Sequence, residues 1–313
     1  MDDRDRLRRF SSRRSGWRSL LSWVGVLAFV MISGLALAAC GDDGEEGAEG
    51  GLLEEAIDRG YLSVGIANEA PYGFEDENGV PTGEAPEVAK EVLSRLGIPE
   101  IRTVVVDFGA LIPGLAAGRF DMIAAGMYIT PERAEQVLFS DPDYCGTQAF
   151  AVAAGNPLDI RTFEDIAENP DAVVGVMGGA VEEGYAEEAG VPEDRMTVFD
   201  TVPNLFEGLR DGRIDAVALT SITVNWQVKL LGDPSIEATE GFVPVIGGEE
   251  IFACGAYGFR PENQAFRDAF NEELNKMKQN DEILPIVEPF GFTAADINKA
   301  KDVTVDDLVG GAE

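Results

Sequence analysis

The sequence predicts an α/β protein of two similar lobes. The chain has 313 residues, of which 45% are hydrophobic, and this is enough for two hydrophobic cores. Short apolar runs alternate with helix-like segments, as parallel strands joined by helices require. The segment 118–121 (Gly-Arg-Phe-Asp) is echoed by the segment 212–215 (Gly-Arg-Ile-Asp), and each follows a predicted helix and precedes a predicted strand. The echo favours a similar architecture in both halves, although generic turn chemistry also produces such joints.

The first 39 residues have the pattern of an export signal. Seven arginines precede an apolar run from Leu20 to Ala39. The run ends in Leu-Ala-Ala-Cys-Gly at 37–41, which resembles the lipobox of bacterial lipoproteins and implies that cleavage leaves Cys40 as a lipidated amino terminus. A retained signal anchor is the alternative, because about 20 apolar residues can span a bilayer. Residues 40–51 are acidic and glycine-rich, and we expect a flexible tether there.

The composition excludes several classes of function. The chain contains no histidine, so metal sites and general bases built on histidine are excluded, and we expect no metal, cofactor or catalytic residue. A formal net charge of −33 argues against binding nucleic acid through a basic face. The acidity serves solubility, or reflects a salt-rich habitat.

The first half of the globular chain contains three predicted strands that end in polar or aromatic residues. Glu69 and Tyr72 follow the first strand, Phe108 follows the second, and Gly126 and Tyr128 follow the third. The carboxyl ends of parallel strands meet at one edge of a sheet, where open α/β folds bind ligands. The predicted strands are 62–67, 101–106 and 122–125, and the predicted helices are 52–59, 87–96 and 111–117.

A short helix is predicted to begin directly after the third strand. Thr130 suits the N-cap, Pro131 the first helical position and Glu132 the first turn. Arg133 then lies in the first turn, where its guanidinium and nearby backbone N–H groups could bind a carboxylate. Taken alone, such an arginine is more often a surface or salt-bridge residue.

The second half repeats the alternation of strands and helices. Gly178 and Gly179 stand before a helix, so they either offer N–H groups to a ligand or form only a tight turn. The predicted strands are 148–152, 173–176, 196–199, 216–219 and 251–259, and the predicted helices are 181–189, 202–210 and 263–280.

One string of residues carries a family resemblance. It runs from Gly126 through Thr-Pro-Glu-Arg at 130–133 to Phe-Ser-Asp-Pro at 139–142, and it resembles the signature of polar amino-acid-type solute-binding proteins of ABC importers, family 3. The resemblance covers residues 52–293 and implies a two-lobed, type II periplasmic-binding-protein fold with a ligand cleft between the lobes. Residues 52–147 and 256–313 would then form lobe 1, and residues 148–255 lobe 2. Strands at 147–152 and 256–259 would cross between the lobes as antiparallel neighbours and form a two-strand hinge.

Within that family the chain looks closest to the ectoine and hydroxyectoine binders, on the segments 67–72, 108–115, 125–128 and 288–292 and on Cys145 with Cys254. Tyr128 stands where ordinary amino-acid binders have Ser or Thr, and Leu-Thr-Ser at 219–221 stands where they place an Asp for the ammonium group. Three rings at strand ends suit the flat, delocalised cation of ectoine, although any one ring alone is more often part of a packed core. The predicted ligand residues are Glu69, Tyr72, Phe108, Tyr128, Arg133, Gly178, Gly179 and Thr220.

The resemblance also implies partners and leaves rivals open. The expected partners are a small zwitterionic solute, ABC permease subunits and the membrane through Cys40, and the protein is expected to be a monomer that binds without converting its ligand. The solute could instead be a polar amino acid. A dehydratase-like enzyme on the same fold would need Glu69, Asp107 or a lysine as acid or base. A sensor domain is a third class, but no segment resembles a signalling module. Cys145 and Cys254 either form a disulfide or remain two free thiols.

Overall fold

The computed structural model describes residues 51–310, so the predicted export signal, Cys40 and all but the last residue of the predicted tether lie outside the described residues. Within residues 51–310, no helix is both long and apolar enough to cross a membrane. The strands are β1 (Leu62–Ile66), β2 (Phe74–Glu75), β3 (Pro81–Thr82), β4 (Ile101–Val105), β5 (Met122–Tyr128), β6 (Leu138–Phe139), β7 (Tyr144–Gly146), β8 (Gln148–Ala153), β9 (Val174–Met177), β10 (Met196–Phe199), β11 (Ala216–Thr220), β12 (Ile236–Ala238), β13 (Val245–Ile246), β14 (Glu249–Glu250) and β15 (Ala253–Phe259). The helices are α1 (Leu52–Arg59), α2 (Glu84–Arg95), α3 (Leu111–Ala116), α4 (Pro131–Ala134), α5 (Phe163–Glu168), α6 (Val181–Glu188), α7 (Val202–Arg210), α8 (Ser221–Leu231), α9 (Gln264–Gln279), α10 (Leu284–Val287), α11 (Ala294–Ala300) and α12 (Val305–Val309).

Two main sheets have matching topologies. The strand order is β4-β1-β5-β15-β6 in the first sheet and β10-β9-β11-β8-β12 in the second. In each sheet the first three strands are parallel, and the fourth runs antiparallel to its neighbours. Parallel strands are usually covered on both faces, and β1, β5, β9 and β11 are buried along almost their whole length. The two-lobed α/β architecture is therefore as predicted.

The repeated Gly-Arg-x-Asp joints have the same structural role in both lobes. Asp121, before β5, accepts a hydrogen bond from the backbone N–H of Ser63 (3.2 Å), and its own N–H donates to the Ser63 carbonyl (2.8 Å). Asp215, before β11, does the same with Val173, at 2.9 and 2.8 Å. Each Asp thus attaches the start of one parallel strand, β5 or β11, to the start of its parallel neighbour, β1 or β9.

Two element boundaries differ from the prediction. Helix α2 begins at Glu84 instead of residue 87, because Pro86 then lies in the first turn, where a helix leaves N–H groups without partners anyway. Strand β5 does not end before Gly126 but continues to Tyr128. It continues because β15 pairs with it there, with Gly255 opposite Tyr128, and Gly126 accommodates the irregularity with a positive φ of 63°.

The predicted pairing of the two hinge strands, residues 147–152 with residues 256–259, is wrong. Strand β15 pairs with β7, with Cys254 opposite Cys145, whereas β8 pairs with β11 and β12 in the second sheet. The chain therefore changes sheets at Thr147 and is back in the first sheet from Ala253. Sequence periodicity could not reveal this, because register depends on pairing between segments that are distant in the chain. We still propose the predicted division into lobes, except that lobe 1 resumes at Ala253 and not at residue 256.

A disulfide joins Cys145 and Cys254 across the β7–β15 pair, and 109 positions of sequence separate them. The bond lies beside the point where the chain crosses to the second sheet. It thus links the outgoing segment to the returning one.

Candidate ligand-binding site

A cavity lies between the two sheets, where strands of both lobes end. Glu69 follows β1, Phe108 follows β4 and Tyr128 ends β5, while Met177 ends β9 and Thr220 ends β11. This is the edge at which open α/β sheets bind ligands. The cavity has a volume of ≈ 30 Å³ in this closed structure, so the lobes lie close together around it. The lining residues are Glu69, Tyr72, Phe108, Gly126, Tyr128, Arg133, Met177, Ala180, Val181, Glu182, Leu219 and Thr220.

Arg133 enters the cavity from the first turn of α4. The Thr130 hydroxyl caps this helix by accepting a hydrogen bond from the Arg133 N–H (3.3 Å), and Pro131 occupies the first helical position. The guanidinium donates to the carbonyl of Tyr128 in its own lobe (2.7 Å) and to that of Gly179 in the other (2.9 Å). A guanidinium has five N–H donors, so donors remain for a ligand carboxylate.

Aromatic rings form one side of the cavity. Tyr72 and Tyr128 are almost fully buried, and the Phe108 ring centroid lies 5.5 Å from the guanidinium carbon of Arg133. Tyr144, which sequence analysis did not select, packs against two of these rings, with centroid distances of 5.3 Å to Tyr72 and 6.0 Å to Tyr128. The three predicted rings thus share one cavity with Arg133.

Gly126 allows Tyr72 to pack against β5. A Cβ at this position would lie only 2.3 Å from the Tyr72 ring, so any other residue would displace the tyrosine. The hydroxyl of Tyr144 donates to the Gly126 carbonyl (2.7 Å) and so supports the same stretch of strand. The glycine in the family-like motif therefore serves ring placement as well as backbone conformation.

Two buried carboxylates reach the cavity from opposite lobes. Burial and, to a smaller extent, the nearby Glu182 raise the pKa of Glu69 from its ordinary 4.5 to about 8, and a hydrogen bond from the Thr223 hydroxyl (3.0 Å) opposes the rise. Burial likewise raises the pKa of Glu182 to about 7, against the effects of its own backbone N–H and of Arg133. The cavity therefore disfavours negative charge on both side chains.

Glu182 is not among the ligand residues predicted from the sequence. The one local signal is an acidic residue at the second position of α6, and acidic residues are common in the first turn of any helix. Glu182 is only 2% exposed and lines the cavity, and no pattern within α6 records either fact.

A series of side-chain hydrogen bonds connects the lobes across the cavity. The Tyr72 hydroxyl donates to Oγ1 of Thr220 (2.9 Å), the Thr220 hydroxyl donates to that of Thr223 (3.1 Å), and the Thr223 hydroxyl donates to Oε1 of Glu69 (3.0 Å). Thr220 is thus brought to the predicted site, where it also caps α8. The lobes are closed over the cavity.

Gly178 and Gly179 are not among the lining residues, and their N–H groups have protein partners. The Gly178 N–H donates to the Phe199 carbonyl (3.0 Å), and the Gly179 N–H donates to Oε2 of Glu183 (3.2 Å). The prediction that these two groups face a ligand is therefore wrong for this closed structure. Their backbone instead lies against Gly109 of the other lobe, where a Cβ on Gly179 would come within 2.9 Å of the Gly109 Cα.

The cleft between the two α/β lobes is closed, and a cationic side chain, carboxylates and aromatic rings face into it. Such a cleft is typical of a two-lobed protein that binds small molecules. The chain belongs to the bacterial extracellular solute-binding proteins, family 3, whose sequence profile matches residues 62–293. This membership accords with the predicted family and with export from the cytoplasm.

Individual relatives support the same assignment. The chain is 37% identical to the probable amino-acid ABC transporter periplasmic-binding protein y4tE of Sinorhizobium fredii over 258 residues, which are 82% of this chain and 85% of that protein. It is 29% identical to the arginine-binding extracellular protein ArtP of Bacillus subtilis over 268 residues, or 83% of this chain and 94% of ArtP.

Solved structures give the same fold. The crystal structure of EhuB in complex with hydroxyectoine matches with a TM-score of 0.76 and 39% identity, over 84% of this chain and 98% of EhuB. The crystal structure of the ancestral amino-acid-binding protein AncCDT-1, a precursor of cyclohexadienyl dehydratase, matches with a TM-score of 0.67 and 28% identity, over 76% of this chain and 98% of AncCDT-1.

Proposed function

We propose that this protein is the extracytoplasmic binding component of an ABC importer and that its solute is ectoine or 5-hydroxyectoine. The observation that carries the proposal is the meeting of Arg133, three aromatic rings and Glu69 in one closed cavity. The similarity to EhuB, which was crystallised with hydroxyectoine, supports it.

Each group of the solute has a partner of suitable chemistry. Ectoine carries one carboxylate, which Arg133 would hold through parallel hydrogen bonds. Its cation is a flat ring amidinium without a primary amine, and such weakly hydrated cations gain about 0.5–2 kcal/mol from each aromatic face. The rings of Tyr72, Phe108 and Tyr128 would supply those faces, and Glu69 would accept the ring N–H hydrogen bonds.

A polar amino acid is the second candidate, and Glu182 is the observation that favours it. In the sequence, Leu219 to Ser221 stand where related amino-acid binders place an Asp. The sequence alone therefore offers no anionic partner for a primary ammonium group in that region. Glu182 places a carboxylate on the same side of the cavity, contributed by the second lobe. An α-ammonium group therefore has two carboxylates within the cavity as possible partners.

We propose that the solute leaves the cavity unchanged. Of the acid or base candidates for an enzyme, Asp107 is exposed and neither it nor a lysine lines the cavity, which leaves Glu69. Glu182 is a further acid of the lining. Incubation of each bound solute with the protein, followed by mass spectrometry of the small molecules, should recover only the starting compound. A new product at catalytic yield would assign the chain to the enzymes of this fold instead.

Calorimetric titration with ectoine, 5-hydroxyectoine, glutamine, glutamate and arginine tests the choice of solute. We expect micromolar or tighter binding of the ectoines and at least tenfold weaker binding of the amino acids, a difference of about 1.4 kcal/mol or more. Tight binding of an amino acid together with weak binding of ectoine would transfer the function to the second candidate.

We also propose that Cys40 carries the lipid that holds the protein at the outer face of the membrane, beside its permease, and that the mature protein is monomeric. Labelling of cells with a fatty-acid analogue should mark the wild type and leave Cys40→Ser unlabelled. Labelled Cys40→Ser, or unlabelled wild type, would contradict the anchor.

A further inference from the structure

The charges inside the cavity do not balance. Glu69 and Glu182, which are 5% and 2% exposed, supply two carboxylates, and Arg133 supplies the one cationic side chain among the lining residues. The two acids come from opposite lobes, Glu69 from the segment after β1 and Glu182 from the first turn of α6. They therefore approach each other only when the lobes close.

Neither carboxylate has a strong partner of its own. Glu69 accepts one hydrogen bond, from the neutral Thr223 hydroxyl. Glu182 receives the Gln148 side-chain amide at 2.7 Å when that amide is turned with its nitrogen toward the acid. Within residues 51–310, neither acid forms a salt bridge. A buried carboxylate held only in this way is costly in its ionised form.

A zwitterionic solute does not remove this imbalance. Its carboxylate would neutralise Arg133, and its cationic group would neutralise one of the two acids. In the closed cleft the other acid would be left buried without a counter-charge. In an open cleft both acids would be in contact with water and ionised near neutral pH. A group in that position binds a proton rather than stay charged.

We infer that Glu182 is a second acidic residue of the ligand site and that lobe closure over a zwitterionic solute takes up one proton from the solvent, held by the Glu69–Glu182 pair. This inference rests on the proposed capture of such a solute by lobe closure. A solute with two cationic groups and one carboxylate would balance both acids and need no proton.

The other titratable groups around the pair do not exchange protons near neutral pH. Arg133 remains cationic. The pKa values of the surrounding phenols are raised above the ordinary value, chiefly by burial, so these phenols stay neutral; they are Tyr72, Tyr128, Tyr144 and Tyr185. Only the two acids, with pKa values of about 8 and about 7 in the closed cavity, titrate in this range.

The raised pKa values of the two acids determine how the affinity for the solute changes with pH. Closure raises the pKa of each acid above its ordinary 4.5, so affinity for a zwitterion is highest at low pH and falls as the pH rises through about 7 and 8. One proton taken up per ligand corresponds to at most about a tenfold loss of affinity per pH unit. The preference for a net-cationic solute over a zwitterion should rise with pH for the same reason.

Isothermal titration calorimetry with ectoine, in phosphate and in Tris at matched pH between 6 and 9, measures the proton directly. The two buffers differ in ionisation enthalpy, so the difference in heat gives the number of protons exchanged. We expect uptake of about one proton per ligand near pH 6–7 and little above pH 8. Glu182→Gln should abolish the uptake and flatten the pH dependence, whereas Glu187→Gln, an exposed acid on the same helix, should behave as the wild type.

The possible failures are distinguishable. Ectoine binding with equal heats in both buffers and a constant affinity from pH 6 to 9 would overturn the inference and leave the proposed function intact. Absence of binding by every solute of the panel would overturn the proposed function and the inference with it. Since the wild-type measurement is decisive alone, the test survives even if Glu182→Gln does not fold.

Discussion

Removal of the Arg133 side chain should nearly abolish solute capture. Arg133→Ala deletes the one cationic group among the lining residues, so a bound carboxylate would be enclosed with two acids and no counter-ion. Breaking a buried ion pair in this way costs about 3–5 kcal/mol. Micromolar binding amounts to about 8 kcal/mol in total, so affinity should fall by about two to four orders of magnitude.

The loss of a hydrogen bond between the lobes should weaken solute binding by Arg133→Ala further. The Arg133 guanidinium also donates to the Gly179 carbonyl of the opposite lobe (2.9 Å), a contact that forms only on closure. Arg133→Lys keeps the positive charge but loses the planar fork that can hold a carboxylate and a carbonyl together. We therefore expect its affinity to lie between those of the wild type and of the alanine variant.

Calorimetry with ectoine, or with whichever solute the wild type binds, measures the effect. Arg119→Ala is a matched control, because Arg119 is exposed in the same lobe and does not line the cavity. Thermal unfolding of each variant verifies that the fold is retained. Binding of a folded Arg133→Ala within threefold of the wild type would remove Arg133 from the site.

Three further changes test other parts of the structure. Phe108→Leu should weaken ectoine by about 1–2 kcal/mol in calorimetry if a cation faces the ring, and an unchanged affinity would reduce that ring to core packing. Mass spectrometry after alkylation without reductant should find Cys145 and Cys254 unmodified, and two alkylated thiols would refute the disulfide. Replacing both cysteines by Ala should lower the free energy of unfolding by about 2–5 kcal/mol, since the disulfide closes a long loop. Burial beside Asp143 raises the pKa of Glu84 well above its ordinary value, so Glu84 is protonated in the folded state and the free energy of unfolding should fall as pH rises above about 4.5. Glu84→Gln should therefore unfold at similar denaturant concentrations at pH 6 and pH 9. A wild type that loses no stability between those two pH values would contradict this.

Local chemistry made much of the first-lobe site predictable. Capping preferences alone place Thr130 and Pro131 at the start of α4 and thereby Arg133 in its first turn. The rule that parallel strands end at one edge of a sheet predicted that Tyr72 and Phe108 lie near each other, because they follow β1 and β4 within a few residues.

Features that depend on contact between the lobes escaped prediction. Glu182 looks like an ordinary acidic residue in a first helical turn, and only closure places it opposite Glu69. Gly178 and Gly179 are a separate case: the sequence left open whether they face a ligand or form only a tight turn, and Phe199 and Glu183 of the same lobe accept the hydrogen bonds of their N–H groups.

The sequence by itself determined the alternation of strands and helices and the repeat of the two lobes, because periodicity, capping and turn chemistry act over a few neighbouring residues. The choice of the arginine and of the rings as ligand residues also needed the family resemblance. The tertiary structure alone decided which strands form the β7–β15 crossing, the series of hydroxyl hydrogen bonds from Tyr72 to Glu69 and the charge balance of the cavity. These features join residues about 100 or more positions apart, such as Glu69 and Glu182, and burial then determines their protonation. A pattern read along the chain contains no such distances and no measure of burial.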